Sequence, residues 1–273
     1  MKQTVGKTVW YIFLGIGALT MLVPFFWMLS TSLKEAGAVF TFPPQWIPKP
    51  IVWRNYADAW NAVPFGRFYL NSVFISITQT FGVLLTSSMA AFAFARLDFP
   101  GRDKLFFLYL ATMMLPGAVT MIPTFILMKK FAWIDTYRAL IIPGLFTAYG
   151  TFLLRQFFMG LPSDLEDAAR IDGCSKMGIY RHVVIPLSKP ALATLGTMTF
   201  IGSWNNFMWP LIVTNSMEKK TLPIGLASFQ GLYTTDWTLL MAASIIVMVP
   251  TLVVFIFNQR FFVEGIKLSG MKG

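Results

Sequence analysis

Leu161-Pro162-Ser163-Asp164-Leu165-Glu166-Asp167-Ala168-Ala169-Arg170-Ile171-Asp172-Gly173-Cys174-Ser175-Lys176-Met177-Gly178-Ile179-Tyr180-Arg181-His182-Val183-Val184-Ile185-Pro186-Leu187 is a polar segment set between two long apolar stretches. Ser163, with Glu166 three residues later, has the spacing of a capping box, and Pro162 helps stop the apolar run before it. Leu165, Ala168 and Ala169 recur at i, i+3 and i+4, which gives a helix of little more than two turns one apolar face. Gly173 stands where a C-terminal cap needs a left-handed residue. Ser175 is placed to cap a second helix in which Ile179 with Val183 and Tyr180 with Val184 are i,i+4 pairs, and Pro186 ends it. The expectation is a compact helix–turn–helix outside the bilayer, with small Ala168 and Ala169 permitting close approach of another surface.

Everything around this segment is built for lipid. The chain of 273 residues is 56% apolar and 12% charged, where a soluble domain carries about a quarter charged residues. Six stretches suit helices crossing about 30 Å of hydrocarbon: Val9–Ser30, Leu70–Ala95, Leu105–Leu127, Ala139–Leu154 continuing through Gln156–Met159, Pro190–Val213 and Thr238–Phe257. The fold class is therefore an all-α, polytopic membrane protein with six transmembrane helices. The first run is not read as a signal peptide, although Lys2 and Lys7 precede it, because it is too long and no small-residue cleavage site follows Ser30. A single cysteine, Cys174, excludes an internal disulfide, and a single histidine, His182, leaves no His/Cys cluster for a structural metal. The net charge of +10 is read as contact with anionic lipid and a positive-inside bias, not as nucleic-acid binding.

An even number of spans puts both termini on one side. With the termini inside, thirteen of the 22 Lys and Arg residues are internal, and the short turn Arg96–Lys104 is the clearest vote because short loops count most. Both termini are expected in the cytoplasm.

None of the six runs, the fourth taken as Ala139–Leu154 without its continuation, contains Asp, Glu, Lys, Arg or His. Proton-coupled carriers usually hold such groups in the bundle interior, whereas a sodium-coupled carrier can work through backbone carbonyls; a secondary carrier energised by an ion gradient stays the alternative reading. No Gly-x-x-x-x-Gly-Lys-Ser/Thr loop is present, so the chain does not bind ATP by that route. No carboxylate dyad, nucleophile–base pair or metal cluster lies within the spans, so neither an enzyme nor a resident cofactor is expected. Any uphill transport would draw its energy from another subunit. For the polar segment itself, a solvated connector explains neither the two caps nor the two apolar faces. A DNA-reading helix-turn-helix does not suit a place between two spans, with Asp164, Glu166, Asp167 and Asp172 offsetting the basic residues. Docking onto a cytosolic partner is the preferred reading.

The segment resembles the EAA loop of binding-protein-dependent ABC importer permeases, Glu-Ala-Ala, three residues, Gly, nine residues, Ile-x-Leu-Pro. Here the pattern falls on Asp167, Ala168, Ala169, Gly173, Val183, Ile185 and Pro186. Asp replaces Glu, Val replaces Ile and Ile replaces Leu; only the first shortens reach, and Glu166 stands beside it to compensate. The six spans, the Trp204–Pro210 run Trp-Asn-Asn-Phe-Met-Trp-Pro and the tail from Asn258 to Gly273 are similar to the smaller permease of maltose-type carbohydrate importers. The resemblance implies a type I ABC importer permease core plus one extra N-terminal helix. Residues 1–66 would hold that helix and an outer loop, 67–258 the core with the coupling loop 161–190, and 259–273 a cytosolic tail. It implies a bacterial or archaeal plasma-membrane location and a heterodimer with a second permease. The further partners it implies are a cytosolic ATPase dimer, an extracytoplasmic solute-binding protein and a carbohydrate substrate. The coupling loop, with Glu166, Asp167, Ala168, Ala169, Gly173, Val183, Ile185 and Pro186, would sit in a groove on the ATPase.

Pro116, Pro123, Pro143, Pro210 and Pro250 are expected to kink or break spans. Before Pro210, Trp204, Asn205 and Asn206 offer an indole and two carboxamides that can stack on a sugar and bond its hydroxyls. Adhesion between helices is the reading favoured over sugar contact for these three. Cys174 and His182 are assigned no special role. Outside, Thr31–Phe68 carries Trp46, Trp53 and Trp60 as interface anchors, and Asn215–Trp237, with Phe229-Gln230-Gly231-Leu232-Tyr233, would by resemblance face the binding protein.

Overall fold

The computed structural model describes residues 2–231 and 235–270, and the side chains among them except those of 2–6, 9 and 261–270. Leu232, Tyr233 and the last three residues of the tail lie outside the described residues. The elements, in chain order, begin with α1 (Lys2–Ser32), α2 (Arg54–Ala62), α3 (Phe65–Arg96), α4 (Arg102–Ala111) and α5 (Gly117–Lys130). They continue with α6 (Tyr137–Ile141), α7 (Ala148–Met159), α8 (Asp164–Ile171), α9 (Lys176–Ile179), α10 (Ile185–Leu187) and α11 (Lys189–Trp204). The last three are α12 (Met208–Val213), α13 (Leu222–Ala227) and α14 (Trp237–Gly270). Among the described residues four helices are long and apolar enough to cross a membrane singly: Trp10–Ser32, Phe65–Arg96, Tyr137–Met159 and Trp237–Arg260. Two bent pairs raise the number to six if each is one span. One is α4 with α5, at 100°; the other is Lys176–Leu187 with α11, at 78°.

The bends have local causes. Leu115 is extended at φ −80°, ψ 120°, as the residue before a proline must often be, and Pro116 then opens α5. The stretch Leu105–Leu127, expected as one helix, is for that reason two. The stretch Pro190–Val213 is likewise interrupted: α11 stops at Trp204 and α12 starts at Met208. A continuous helix would need an N–H at Pro210 to reach the carbonyl of Asn206, and proline has none. In α12 Pro210 falls in the first turn, where a missing donor costs nothing.

The chain forms two compact units. The first comprises Met1–Gly66 and Gly225–Val249. Its α1 buries no residue of its most apolar window inside the protein, which leaves that surface to lipid. The end of α1 is tied to α2 by Asn55, whose Nδ2 donates to the carbonyls of Ser32 (2.9 Å) and Lys34 (2.8 Å), and by a 2.8 Å hydroxyl contact between Ser32 and Tyr56. These bonds satisfy carbonyls that a helix terminus leaves without partners. Lys34 is buried with its ammonium 3.9 Å from the Trp27 ring, a cation–π contact. Trp46, Trp53 and Trp60 are exposed.

The second unit comprises Arg67–Ile224 and Pro250–Gly273. One apolar cluster joins Val83 and Phe92 of α3, Leu154 and Phe158 of α7, Ile179 and Val184 of the polar segment, and Leu195 of α11. A second joins Ile75 of α3, Met128 of α5, Leu140 of α6 and Val213 of α12. Helices approach closely in the first cluster because Gly150 lacks a side chain. A Cβ there would lie 2.7 Å from Ser87 Oγ, 2.8 Å from Thr147 Cγ2 and 3.2 Å from Leu195 Cδ2. Small residues at helix contacts are how membrane bundles gain dispersion contacts, since apolar surface alone has no preference for protein over lipid.

Gly150→Leu must therefore push α3 and α11 away from α7. Overpacking of this kind costs about 1–3 kcal/mol, so the apparent melting temperature of the purified protein in detergent falls by several degrees. Gly15→Leu on α1, where a Cβ meets nothing within 4 Å, leaves it unchanged. Equal melting of the two variants would contradict the packing described.

Candidate functional site

The polar segment folds as two short helices joined by a tight turn. α8 ends in a Schellman cap: Cys174 N–H bonds the Ala169 carbonyl at 2.9 Å, Gly173 N–H bonds that of Arg170 at 3.0 Å, and Gly173 takes φ +79°. Ser175 then caps α9, its Oγ accepting from Gly178 N–H at 3.2 Å. At the start of α8 the capping box is absent. Ser163 is already helical at φ −67°, ψ −29°, and its side chain makes no cap bond. Glu166, its expected partner, is drawn inward to the guanidinium of Arg96. Nor does Pro186 end the second helix. After α9 the chain makes a π-helical turn over Tyr180–Val184 and one more α-turn through Pro186, and the bend follows at buried Ser188. The π-turn puts Val184 inside the core, while Val183 packs against its edge.

The residues singled out in this segment divide by face. Asp167, Ala168, Gly173 and Pro186 are exposed; Val183 and Ile185 are half-buried; Glu166 is buried. The two alanines have different duties, since Ala169 packs against the core cluster and only Ala168 faces outward. Glu166, turned inward, does not extend the reach of Asp167. Outward lie Leu165 (45% exposed), Ile171 (87%) and Met177 (58%), an apolar strip on an otherwise charged segment. Such a strip on a folded polar element suits an interaction surface. Asp167 is paired only with Arg170, one helical turn on, at 2.8 Å, and both are more than half exposed. His182 Nδ1 lies 3.0 Å from the carbonyl of Gly178 in its own turn, and Cys174 is an exposed free thiol.

The segment is fastened to the spans. Tyr180 meets Ser88 of α3 through a 2.8 Å hydroxyl contact and packs its ring 5.3 Å from that of Phe92. Arg96, the last residue of α3, donates to the carbonyls of Phe158 and Leu161 and meets Glu166 at 2.8 Å.

At the break between α11 and α12, Trp204, Asn205 and Asn206 part company. Trp204 is buried, stacked on Phe200 at 5.7 Å and met edge-on by Tyr69 at 5.7 Å. Its ring faces are covered, so it serves the packing reading. Asn205 is exposed and Asn206 half-buried, and neither carboxamide makes a hydrogen bond to the described residues.

At the far end of α3 a polar network secures the loop after α12. Asp135, at φ 62°, accepts through Oδ1 from Asn215 N–H, Ser216 N–H and Ser216 Oγ, each at 3.0 Å. Asn71 donates to the carbonyls of Glu218 and Lys220 at 2.8 Å each and accepts from Tyr137 at 2.7 Å. Lys219 sits over the Tyr137 ring at 4.1 Å. The sequence reading assigned none of Arg96, Arg155, Asp135 and Asn71 to a site. For the two arginines a signal exists: each stands at or near the end of an apolar run, where a helix leaves carbonyls without partners.

A family model for binding-protein-dependent transport system inner membrane components matches residues 82–264. The chain is 39% identical over 245 residues to the arabinooligosaccharides transport system permease protein AraQ of Halalkalibacterium halodurans, covering 89% of this chain and 86% of that one. It is 36% identical to the sn-glycerol-3-phosphate transport system permease protein UgpE of Yersinia pestis, covering 94% of each. A chain of a crystallised bacterial ABC transporter involved in the import of the acidic polysaccharide alginate superposes with a TM-score of 0.85. That match is 25% identical and covers 96% of this chain and 98% of that one.

The Asp135 network sets a pH dependence. Burial disfavours the charged carboxyl, but the bonds from Ser216 and Asn215 and the Lys219 cation outweigh it and hold Asp135 below the usual carboxylate range. A depressed carboxylate contributes stability that is complete above its unfolded value, about 3.9, and lost as pH falls through the folded value. Asp135→Asn therefore melts lower than the unaltered protein at pH 6, and the gap closes below about pH 4. A gap that does not narrow as pH falls below about 4 would contradict this assignment.

Proposed function

The chain belongs to the family of binding-protein-dependent transport system inner membrane components, and on that premise we propose that it forms half of the translocation pathway of an ATP-driven importer for a sugar or an oligosaccharide, docking an ATPase through α8 and α9. It is a non-catalytic membrane subunit, with ATP hydrolysis residing in a separate one. The other half of the pathway is a second permease, and an extracytoplasmic solute-binding protein delivers the substrate. Both termini face the cytoplasm, which places α8 and α9 within reach of the ATPase and the loop after α12 on the side of the binding protein.

The observation that carries this reading is the exposed strip of Leu165, Ala168, Ile171 and Met177 on a capped helix pair fastened to the spans. A surface that needs only to be soluble has no use for it. Asp167 at its edge, paired only with exposed Arg170, keeps an accessible carboxylate for a donor on the ATPase. For the substrate, the free carboxamides of Asn205 and Asn206 at a helix break supply donors and acceptors without charge, which suits hydroxyl-rich solutes. The relative named for arabinooligosaccharides concerns a neutral solute of that kind, whereas those named for glycerol phosphate and for alginate concern solutes that carry anionic groups beside their hydroxyls. Trp204 is a packing residue and contributes no sugar face. The exposed apolar residues of α4 and α5, among them Phe107, Leu108, Val119 and Ile122, face lipid or the second permease.

The docking surface is tested by two substitutions that spare the fold. The Asp167–Arg170 pair is exposed and contributes a few tenths of a kcal/mol at most, so Asp167→Asn leaves stability unchanged. At a desolvated interface, removing one partner of a charged hydrogen bond costs about 2–5 kcal/mol, which is at least about tenfold in affinity. Asp167→Asn and Ala168→Trp each weaken ATPase binding to membranes carrying this chain and its partner permease by tenfold or more, whereas Asp167→Glu does not. Undiminished ATPase binding in both of the first two variants would refute docking through this face.

A further inference from the structure

Asp164, Asp167 and Asp172 point outward from the docking segment, and Glu166 does not. Its side chain is 6% exposed and its Oε1 lies 2.8 Å from Nε of Arg96, itself 14% exposed. The N–H of that nitrogen points off the line between them, so the contact is an ion pair and not an aligned hydrogen bond. The well-formed bonds of the guanidinium run from Nη2 to the carbonyl oxygens of Phe158 (2.6 Å) and Leu161 (2.7 Å). Phe158 is in the last turn of α7, and the segment from Leu161 leads into α8. A second arginine crosses the other way. Arg155 of α7 donates through Nε to the carbonyl of Phe94 (3.1 Å) in the last turn of α3. Its guanidinium lies 4.1 Å from the Phe106 ring of α4 and its Nη2 lies 3.7 Å from Asp103.

Each arginine thus satisfies a terminal carbonyl of the other's helix, where the dipole favours a cation. A guanidinium that engages two carbonyls and a carboxylate has one register, set by its rigid planar fork, and a lysine ammonium cannot reproduce it. Apolar contact alone, such as that of Ala169 with the core, permits sliding. Breaking a buried pair on one side also strands the other charge, so the joint does not open part-way at low cost.

We propose that Arg96 is a positioning residue which, with Glu166 and Arg155, locks the docking helix to the cytosolic ends of α3 and α7 and to the start of α4. A displacement of α8 then moves these spans as one body. The role in coupling rests on the docking reading given above; the rigidity of the joint does not, and the two are measured separately.

The test uses the assembled transporter in proteoliposomes, with spin labels on exposed Lys104→Cys and on exposed Asp164→Cys, which stands in α8 outside the apolar strip, in a Cys174→Ser background. The label-to-label distance reports α8 against α4. With Arg96 and Glu166 intact, one narrow distribution is expected, the same with and without ATP. Glu166→Gln, and independently Arg96→Lys, should broaden it at least twofold while ATPase association stays within twofold of normal, and substrate moved per ATP hydrolysed should fall at least tenfold. An unchanged width or an unchanged ratio in both variants overturns the proposal, as does a distance that shifts with ATP in the unaltered chain. Failure of the docking reading shows differently, as no ATPase association even with Arg96 and Glu166 in place.

Discussion

Hydrocarbon offers no hydrogen-bond partners, so wherever a span bends or stops, the freed backbone groups must find partners inside the chain. The second unit is organised around this requirement. α3, with 32 residues, meets it at both ends. Near its start Asn71 and Ser72 bond the backbone of the loop running from Glu218 to Leu222. At its finish Arg96 bonds carbonyls of the α7–α8 connection, and Arg155 returns a bond to α3. The charged groups of this unit that are fixed by several bonds lie at these two levels, and the length between them holds hydroxyls, carboxamides, glycines and apolar side chains.

That arrangement explains how a protein whose fixed charges stand at the ends of its spans can take part in driven transport. Among the described residues the ion pairs of the spans, Arg96 with Glu166 and Arg155 with Asp103, lie at the helix ends, so on the reading proposed above the work enters through contact surfaces. The docking segment presents an apolar strip outward and inserts Ile179, Val184 and Tyr180 inward between α3 and α7. Its Schellman turn at Gly173 fixes the angle between the two short helices. One face of this element is packed into the bundle and the other is exposed, which is the face proposed above for a partner. The break after Trp204 is the counterpart at membrane depth, where Pro210 interrupts the ladder and leaves two carboxamides unspent.

Much of this was legible in the sequence because it depends on local chemistry. Apolar runs of the right length located all six hydrophobic stretches, Gly173 announced a left-handed residue, and Ser175 announced a cap. What escaped was decided by partners distant in the chain. Ser163 and Glu166 have the spacing of a capping box, but Arg96, seventy residues earlier, offers Glu166 a buried cation and wins it. Ala168 and Ala169 are equivalent in pattern and are separated only by which side of α8 meets the core. Pro186 has the look of a stop, yet the π-turn before it re-phases the helix so that the bend falls at Ser188. Trp204, by contrast, is enclosed by Phe200 and Tyr69, in keeping with the adhesion between helices favoured for it from the sequence. The outer network needs an Asp at positive φ beside a loop eighty residues on, a pairing that no local pattern encodes.

The central claim is that this chain supplies half a pathway and a docking face, and no energy of its own. Uptake of a labelled oligosaccharide into proteoliposomes tests it most directly. One set holds this chain alone under proton and sodium gradients; another holds it with the second permease, the ATPase, enclosed ATP and external binding protein. Uptake above the protein-free level is predicted only in the complete set and only with ATP. Gradient-driven accumulation by this chain alone would contradict the account.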